Sequence, residues 1–308
     1  MDKRELKNDD LHKIENIAYE IRRLSTEMIT TANWGHIGGS FSVAEILAVL
    51  YGAFANIDPN NPNMENRDYI VLSKAHASPA LYSVLAIRGF ISFDELNEYC
   101  MLNGIEGHLD VSTPGVESSG GSLGLGLSYC VGLALALKMK ESFSQKVYCI
   151  LGDGELNEGQ VWEALMSVSH YGLDNLIIIV DYNKIMAKGF VKNQMSVMPI
   201  VDKFNAFGLK TIEADGHSIS DLYDSLYRAK YIYSGEKPVC IIAHTVKGKG
   251  VEQCEFNYKW HTHAPTVNKA NEFLNELSAR YNKNIIEYNQ PKKNCVETLE
   301  QLINGENP

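Results

Sequence analysis

The chain has 308 residues, of which 45% are hydrophobic and 21% are charged, and its formal net charge at pH 7 is -10. These ordinary globular values exclude a disordered or fibrous chain, and the negative charge argues against a nucleic-acid-binding protein. The six cysteines show no CxxC pair, and the charged amino terminus lacks an apolar signal segment. We therefore expect free thiols and a soluble, cytoplasmic protein that does not act at a membrane.

The first third of the chain contains three predicted helices, one short strand and three loops that each carry a histidine. Apolar residues at helical spacing, with charges between them, indicate that the first helix packs one face on a core. The predicted helices cover residues 11–31, 42–53 and 79–88, and a buried strand covers residues 69–72. The loops place a histidine beside glycine or another small residue, at His36, His76 and His108.

Residues 118–137 contain no charged side chain, a length that would span a bilayer. The first half is serine and glycine, however, so we predict a buried helix over residues 123–137. Small residues recur there every four positions and form a smooth stripe on one helix face. Another helix, a cofactor or a second protein chain can approach such a stripe, and close packing inside the domain explains it equally well. The stripe consists of Gly124, Ser128, Gly132 and Ala136.

Residues 146–183 have the pattern of a strand, a tight acidic turn, a helix and a second strand. Because parallel strands joined by a helix end at the same edge of a sheet, we expect Asp153 and Asn183 to lie close together. Their side-chain oxygens, with the backbone carbonyl of Ile185, suit Mg²⁺ bound to a diphosphate. The alternative is an ordinary turn in which Asp153 caps the following helix.

The remaining chain continues the alternation of strands and helices. Strands are predicted at residues 209–214 and 239–246, with a helix over residues 219–233 between them. This alternation indicates an α/β fold, a mostly parallel sheet with helices on both faces. We assign residues 1–265 to this domain and residues 266–308 to a solvated, helical C-terminal extension.

Four loop histidines in an α/β sheet point to a catalytic site, because histidine is the side chain best suited to exchange protons near neutral pH. They are His36, His76, His108 and His261. His261 and His263 form an HxH pair, but no further ligand at a defined spacing supports a zinc site. Glu155 and Glu158 fall in the first turn after Asp153, where carboxylates complement the helix dipole.

From residue 15 to about residue 265 the chain resembles the amino-terminal, diphosphate-binding half of transketolase, a thiamine-diphosphate enzyme. The motifs that carry this resemblance follow the family's order, and the histidine loops separate transketolase from other thiamine-diphosphate enzymes. The motifs are Gly35-His36 with Gly38, Leu72 to Ala77, Gly107-His108, Pro114 to Glu117, Gly121 to Gly124, Gly152-Asp153-Gly154 with Glu158-Gly159 and Asn183, and Lys247 to Gly250 with Trp260-His261.

The resemblance implies a thiamine-diphosphate-binding (PP-type) domain and a role for each matching residue. Asp153, Asn183 and the Ile185 carbonyl would hold Mg²⁺, with Ca²⁺ or Mn²⁺ as alternatives. The cofactor-binding residues would be His76, Gly121, Ser122, Leu123, Gly154, Glu158, Asn183 and His261. The catalytic set would be His36, His76, His108 and His261, which polarise the ketose carbonyl and hold its hydroxyls while a two-carbon unit passes to an aldose, and Glu158, which resembles a family carboxylate at the subunit interface.

A complete transketolase is about twice this long, and its second domain supplies the glutamate that contacts the aminopyrimidine. The resemblance therefore implies one subunit of a split transketolase of carbohydrate metabolism. It would be active only with a C-terminal, pyrimidine-domain subunit, as an α2β2 heterotetramer. Two alternatives stay open. One is the α-subunit of a 2-oxo acid dehydrogenase, which lacks the four histidine loops, and the other is a non-catalytic thiamine-diphosphate-binding subunit.

Three positions depart from the family's pattern. Trp34 replaces a common serine, Ile37 replaces a proline, and Lys188 replaces an acidic or small residue before glycine. Trp34 and Ile37 flank His36, so we expect them to reshape the substrate pocket. We expect the donor to be a phosphorylated or similarly anionic ketose. The sequence leaves open whether that ketose is an ordinary sugar phosphate, a sulfo-sugar or a branched sugar.

Overall fold

The computed structural model describes residues 6–142 and 144–284. The strands in this part are β1 (Tyr69–Leu72), β2 (Val147–Gly152), β3 (Leu176–Tyr182), β4 (Ile185–Met186), β5 (Gly189–Phe190), β6 (Lys210–Asp215) and β7 (Val239–His244). Five of them form one sheet in the order β1-β2-β3-β7-β6, in which every neighbouring pair is parallel. β4 and β5 form a small antiparallel ribbon. The predicted α/β fold with a parallel sheet is confirmed.

The helices of the described part are α1 (Asn8–Ala32), α2 (Ile37–Ser42), α3 (Ala44–Val49), α4 (Ser78–Arg88), α5 (Phe93–Leu96), α6 (Leu125–Met139), α7 (Gly159–His170), α8 (Val191–Gln194), α9 (Ile200–Ala206), α10 (Ile219–Tyr227) and α11 (Val267–Arg280). Short 3₁₀ segments cover Ala75–Ala77, Gly154–Asn157 and Tyr258–His261, and π-helical turns cover Leu50–Phe54 and Arg228–Ile232. The helix predicted over residues 42–53 in fact begins at Ile37, directly after His36, and is interrupted at Val43.

Helices cover both faces of the sheet, as predicted. Alternate side chains of β3 point to opposite faces, because the side-chain period of a strand is two residues. Ile177 and Ile179 join the core beneath α1, α3, α4 and α10, whereas Ile178 and Val180 join the core beneath α6, α7 and α9. The parallel connections bring the carboxyl ends of all five strands to one edge.

Helix α6 is the helix predicted over residues 123–137, and the prediction that it is buried is wrong for one of its faces. Leu127 packs in the core, but Leu125 and Met139 are 54% and 77% exposed. The small-residue stripe reaches this exposed face, since a Cβ atom added at Gly132 would meet no atom within 4 Å. Packing inside the domain therefore explains only half of the stripe. Gly124 lies against Glu158 and Gln160, and Ser128 accepts a hydrogen bond from Gln160. Gly132 and Ala136 are exposed. No helix of the described residues has the length and hydropathy of a membrane span.

Helix α11 lies in the region predicted to be a solvated extension, and it packs against α1. Phe273 and Leu277 are fully buried in a cluster that includes Tyr19. The prediction of a solvated extension is wrong for this helix, because residues four apart form an apolar face that needs a packing partner. The domain boundary at residue 265 stays a prediction, and the rest of the predicted extension, residues 285–308, lies outside the described residues.

Candidate active site at the carboxyl edge of the sheet

A cavity of about 290 Å³ lies at the carboxyl edge of the sheet, where the loops after β1, β2, β3 and β7 converge. It is lined by nearly all of the residues that the sequence singled out. These are His36, His76, His108, Gly121, Leu123, Asp153, Gly154, Asn183, Ile185 and His261. The loops that carry them are far apart in sequence. The parallel sheet brings together those that follow β1, β2, β3 and β7, and the loop after α1 and the segment before α6 pack against them.

Asp153 and Asn183 follow neighbouring strands, β2 and β3, whose ends are paired in register at Gly152 and Asp181. The Asp153 carboxylate accepts hydrogen bonds from the backbone N–H groups of Gly154, at 2.8 Å, and Lys184, at 2.5 Å. The hydrogen bond from Gly154 is the one expected if Asp153 only caps the segment after β2 in an ordinary turn. The second crosses to the loop after β3, so Asp153 also ties together the two loops that were predicted to form a metal site.

The residues at this point fit an oxygen-ligand cation. Burial, and then the nearby charge of Asp181, raises the pKa of Asp153 to about 7. A buried carboxylate with a raised pKa lacks sufficient positive charge around it. The Asn183 side-chain oxygen and the Ile185 carbonyl complete a set of hard oxygen donors of the kind that Mg²⁺ prefers. Across residues 6–142 and 144–284, no group of three or more His, Cys, Asp or Glu side chains is placed to hold a metal ion.

Beneath the cavity, Lys74 and Asp181 form a buried ion pair that the sequence analysis missed. The Lys74 ammonium group also donates to the Gly39 carbonyl at 2.8 Å. The side-chain amide of Asn183 donates to Asp181 at 3.2 Å, which fixes the orientation of the amide. Burial alone would raise the pKa of Asp181, but Lys74 and two hydroxyl donors hold it below its usual value. One feature of the sequence could have predicted this ion pair. Asp181 lies inside an apolar strand, and a charge buried in such a strand must be paired.

The four predicted histidines form one cluster around His36. Its ring centroid lies 5.2 Å from those of His76 and His261 and 5.8 Å from that of His108. Gly35 makes this placement possible: its φ is +144°, and a Cβ atom there would lie 2.6 Å from Ile29. Sequence alone grouped these histidines by their loop context, and the structure adds that they are neighbours in space.

The three innermost histidines are held in the neutral form. Burial lowers the pKa of His36 to about 4, with a further contribution from His108 and Lys247. Burial and then Lys247 lower the pKa of His261 to about 3, and burial and then Lys74 lower that of His76. The buried Nδ1 atom of His36 has no hydrogen-bond partner within the described part of the protein. A neutral imidazole has one donor and one acceptor nitrogen, so this cluster can both donate and accept hydrogen bonds.

Lys247 is a second residue whose place the sequence analysis did not assign. Its ammonium group donates to the Ile185 carbonyl at 3.0 Å and to His261 Nδ1 at 2.9 Å. Since Nδ1 accepts this bond, the His261 proton lies on Nε2. Burial lowers the pKa of Lys247 to about 8. The next residue, Gly248, has φ +79°, and a Cβ atom there would lie 2.2 Å from the Cys254 carbonyl oxygen. The turn that follows Lys247 therefore requires glycine.

Glu155 lies in the first turn of the 3₁₀ segment Gly154–Asn157, as predicted, but its side chain is buried, and its hydrogen bonds give it a second role. Its carboxylate accepts hydrogen bonds from the Gly124 and Gly152 backbone N–H groups, at 2.8 and 3.0 Å, and from the Ser73 hydroxyl. Burial raises its pKa. Glu155 thereby joins three loops of the site: the end of β1, the end of β2 and the loop before α6.

Ser122 and Glu158 are the two predicted site residues that do not line the cavity. Ser122 is exposed and lines a neighbouring depression. Glu158 is exposed at the start of α7, with its side chain close to Gly124. Their assigned roles stay predictions.

Comparison with protein-family models matches residues 14–272 to the family described as "Transketolase, thiamine diphosphate binding domain". The chain belongs to the transketolase family. Among curated proteins, it is 37% identical over 265 residues to one subunit of an apulose-4-phosphate transketolase from Phocaeicola vulgatus, covering 85% of this chain and 92% of that protein. It is 39% identical over 246 residues to one subunit of a 6-deoxy-6-sulfo-D-fructose transketolase from a Clostridium species, covering 79% and 88%.

Full-length transketolases match over less than half of their own length. Human transketolase is 36% identical over 271 residues, which is 87% of this chain and 42% of that protein. The crystal structure of the Campylobacter jejuni transketolase superposes with a TM-score of 0.83 at 31% identity and covers 97% of this chain and 46% of that one. The chain is thus an amino-terminal transketolase subunit, and ketol transfer between sugars is the reaction of its family.

Proposed function

We propose that this transketolase subunit binds thiamine diphosphate through Mg²⁺ in the 290 Å³ cavity. Asp153, Asn183 and the Ile185 carbonyl are the magnesium ligands. Support comes from the oxygen donors that meet at the ends of β2 and β3 and from the raised pKa of Asp153, which a bound cation would relieve. The observation that carries the proposal is that these oxygens and four histidines line one cavity.

The diphosphate is expected to lie against Gly154, His76 and His261, with Lys247 as an additional cation. A partly desolvated lysine is a strong partner for a phosphate oxygen. Gly121 and Leu123 line the same cavity, which supports their proposed contact with the cofactor's rings. When bound, thiamine diphosphate supplies the nucleophilic carbon and the electron sink of the reaction.

The protein's own task is to orient the sugar and to move protons. His36, His76 and His261 are neutral at pH 7 because their pKa values are lowered by burial. Neutral imidazoles can donate to a carbonyl oxygen and accept from a hydroxyl without introducing a further buried charge. His108, at the rim of the cavity, extends this set towards the incoming sugar. A non-catalytic protein would have no need of this cluster.

We further propose that this chain works with a second chain that carries the pyrimidine-binding domain, in an α2β2 assembly in the cytoplasm. Exposed apolar side chains on α6, on α7 and directly after α7 support a surface that a partner covers: Leu125, Tyr129, Met139, Met166 and Tyr171. Large apolar side chains exposed on neighbouring elements are typical of a surface that a partner protein covers. The similar proteins of matching length are themselves named as subunits. The donor is an anionic ketose, by analogy with the phosphorylated and sulfonated sugars in those names.

The test is to co-express the chain with its candidate partner chain and to measure ketol transfer with and without Mg²⁺ and thiamine diphosphate. We expect activity only when both chains and the cofactor are present. Calorimetric titration of the complex with thiamine diphosphate should show binding that EDTA abolishes. Full activity of this chain alone would overturn the two-chain proposal, and transfer that needs no cofactor would overturn the cofactor assignment.

A further inference from the structure

Three residues outside the proposed active site form a largely buried network. Arg22 and Glu45 are 0% and 5% exposed. Two parallel hydrogen bonds of 2.7 Å join the Arg22 guanidinium group to the Glu45 carboxylate. The His217 ring lies against the same carboxylate, with 2.9 Å between its Nδ1 atom and Glu45 Oε2. Because charges are costly to bury, a network of this kind needs an explanation.

The hydrogen bonds of His217 fix which of its ring nitrogens carries the proton. The backbone N–H of Val246 donates to Nε2 at 2.8 Å, so Nε2 is the acceptor nitrogen. The ring proton therefore lies on Nδ1 and is donated to the Glu45 carboxylate. Burial alone would raise the pKa of Glu45, but Arg22 and then His217 hold it well below its usual value. The ionised Glu45 thus keeps the His217 ring in one tautomer and one orientation.

The network is itself fixed by several elements of the fold. The Tyr281 hydroxyl, directly after α11, donates to Glu45 Oε1 at 3.2 Å and accepts from Arg22 at 2.5 Å. Arg22, on α1, also donates to the Phe41 carbonyl of α2 at 2.9 Å. A side chain that is locked by such contacts can hold a neighbouring group in a defined place. His217 is therefore a rigid anchor for the backbone that it contacts.

That backbone leads directly into the proposed cofactor site, because Val246 immediately precedes Lys247. On the other side of Lys247, the Gly248 N–H donates to the Gly38 carbonyl of α2 at 3.0 Å. The chain on both sides of this lysine is thus tied to another segment, by His217 on one side and by α2 on the other. A lysine side chain is long and flexible, so the path of its backbone decides where the ammonium group can reach.

We propose that His217 is a positioning residue for the cofactor site, which holds Val246 so that Lys247 presents its ammonium group to the diphosphate. The inference rests on the proposed function, in which Lys247 is the additional cation beside the diphosphate. His217 does not line the cavity, so its effect on the affinity for Mg²⁺ and thiamine diphosphate passes through Lys247.

Two substitutions in the two-chain complex separate the two hydrogen bonds of His217. His217→Gln places an amide near the Nε2 position and can still accept from Val246. His217→Asn places its amide near the Nδ1 position, so it can donate to Glu45 but does not reach Val246. Calorimetric titration with thiamine diphosphate in the presence of Mg²⁺ should show about tenfold weaker binding for His217→Asn, at the lower end of the effect of supporting residues. His217→Gln, and the control His12→Asn at an exposed site on α1, should stay within about threefold of the natural affinity.

A double-substitution cycle with Lys247→Met tests whether His217 acts through the lysine. The double variant, His217→Asn with Lys247→Met, should bind the cofactor no more weakly than Lys247→Met alone. A further loss in the double variant equal to that of His217→Asn alone would overturn the inference, because a merely structural role does not depend on the lysine.

Two other results would also overturn the inference. One is natural affinity in folded His217→Asn, and the other is a loss in His217→Gln as large as that in His217→Asn. If His217→Asn does not fold, as judged by thermal melting, His217→Leu takes its place, since it lacks both hydrogen bonds and carries the same expectation. Natural affinity in Lys247→Met would instead overturn the diphosphate role of Lys247, and absence of thiamine diphosphate binding by the natural complex would overturn the proposed function.

Discussion

The Lys74 ammonium group is paired with the Asp181 carboxylate, and the two side chains are 2% and 0% exposed. This pair joins the loop after β1 to the end of β3, and Asp181 in turn accepts a hydrogen bond from the Asn183 side chain. The orientation of a proposed magnesium ligand therefore depends on a buried ion pair that itself lies outside the metal site.

Removal of one member of this pair should be strongly destabilising. Asp181→Ala is expected to lower the free energy of unfolding by about 3–5 kcal/mol, because it leaves the Lys74 charge buried and unpaired. The double substitution Lys74→Met with Asp181→Leu should lose less. Urea unfolding measures both. Glu272→Ala, which breaks an exposed pair with Lys269, is the matched control and should leave the urea midpoint in place.

The stability of the isolated chain should fall as the pH is lowered through the range set by His36. The folded-state pKa of about 4 is below the usual value of 6.5, so between these values the unfolded state binds the proton more readily. The stability that buried, neutral His36 contributes is fully present above pH 6.5 and is lost as the pH falls towards 4. The loss is of the order of 1–3 kcal/mol. Urea unfolding at pH 7, 6 and 5 should show a shallower decline for His36→Gln, and parallel declines would contradict the burial argument.

Asp153→Asn should weaken the binding of Mg²⁺ and thiamine diphosphate to the complex by at least about 100-fold, since even groups that only support a metal ligand contribute 10- to 100-fold. Calorimetric titration measures the affinity directly, without reference to activity. Asp202→Asn, at an exposed position on α9, controls for the loss of one negative charge. A dissociation constant equal to that of the natural protein would remove Asp153 from the metal site.

Glu155→Gln should destabilise the protein by about 1–3 kcal/mol, because the new amide N–H would face one of the backbone N–H donors that the carboxylate now satisfies. It should also weaken cofactor binding, since Glu155 positions the loop before α6 through Gly124. Thermal unfolding and calorimetric titration test the two effects. The same change at the exposed Glu163 of α7 is the control and is expected to alter neither property.

Gly132→Arg should leave the fold of the isolated chain intact, because the Cβ position faces open space. It should prevent assembly with the partner, because a long charged side chain would stand on the apolar face of α6. Light scattering of the mixed subunits measures assembly. Asn16→Arg, at an exposed site on α1 on the other side of the sheet, should assemble normally. Normal assembly of Gly132→Arg would show that the partner binds elsewhere.

Much of the site could be predicted because its determinants are local. Strand patterns that end at Asp153 and Asn183 already imply one sheet edge, and the glycine-flanked histidines already mark loops. The roles of Glu155 and Lys74 could not be predicted in this way. Their partners lie in distant segments, 82 and 107 positions along the chain, at Ser73 and Asp181. No local pattern specifies such a pairing.

By itself, the sequence of this protein determined the alternating strands and helices, the parallel sheet, and the loops that carry its polar groups. These follow from side-chain periodicity and turn chemistry, which act over a few residues. Only the tertiary structure decided that α6 exposes Gly132 and Ala136, that α11 packs on α1, and that the Trp34 ring lies beside His108. Each of these outcomes depends on which distant surfaces come into contact, and that is settled by packing the whole chain rather than by any one segment.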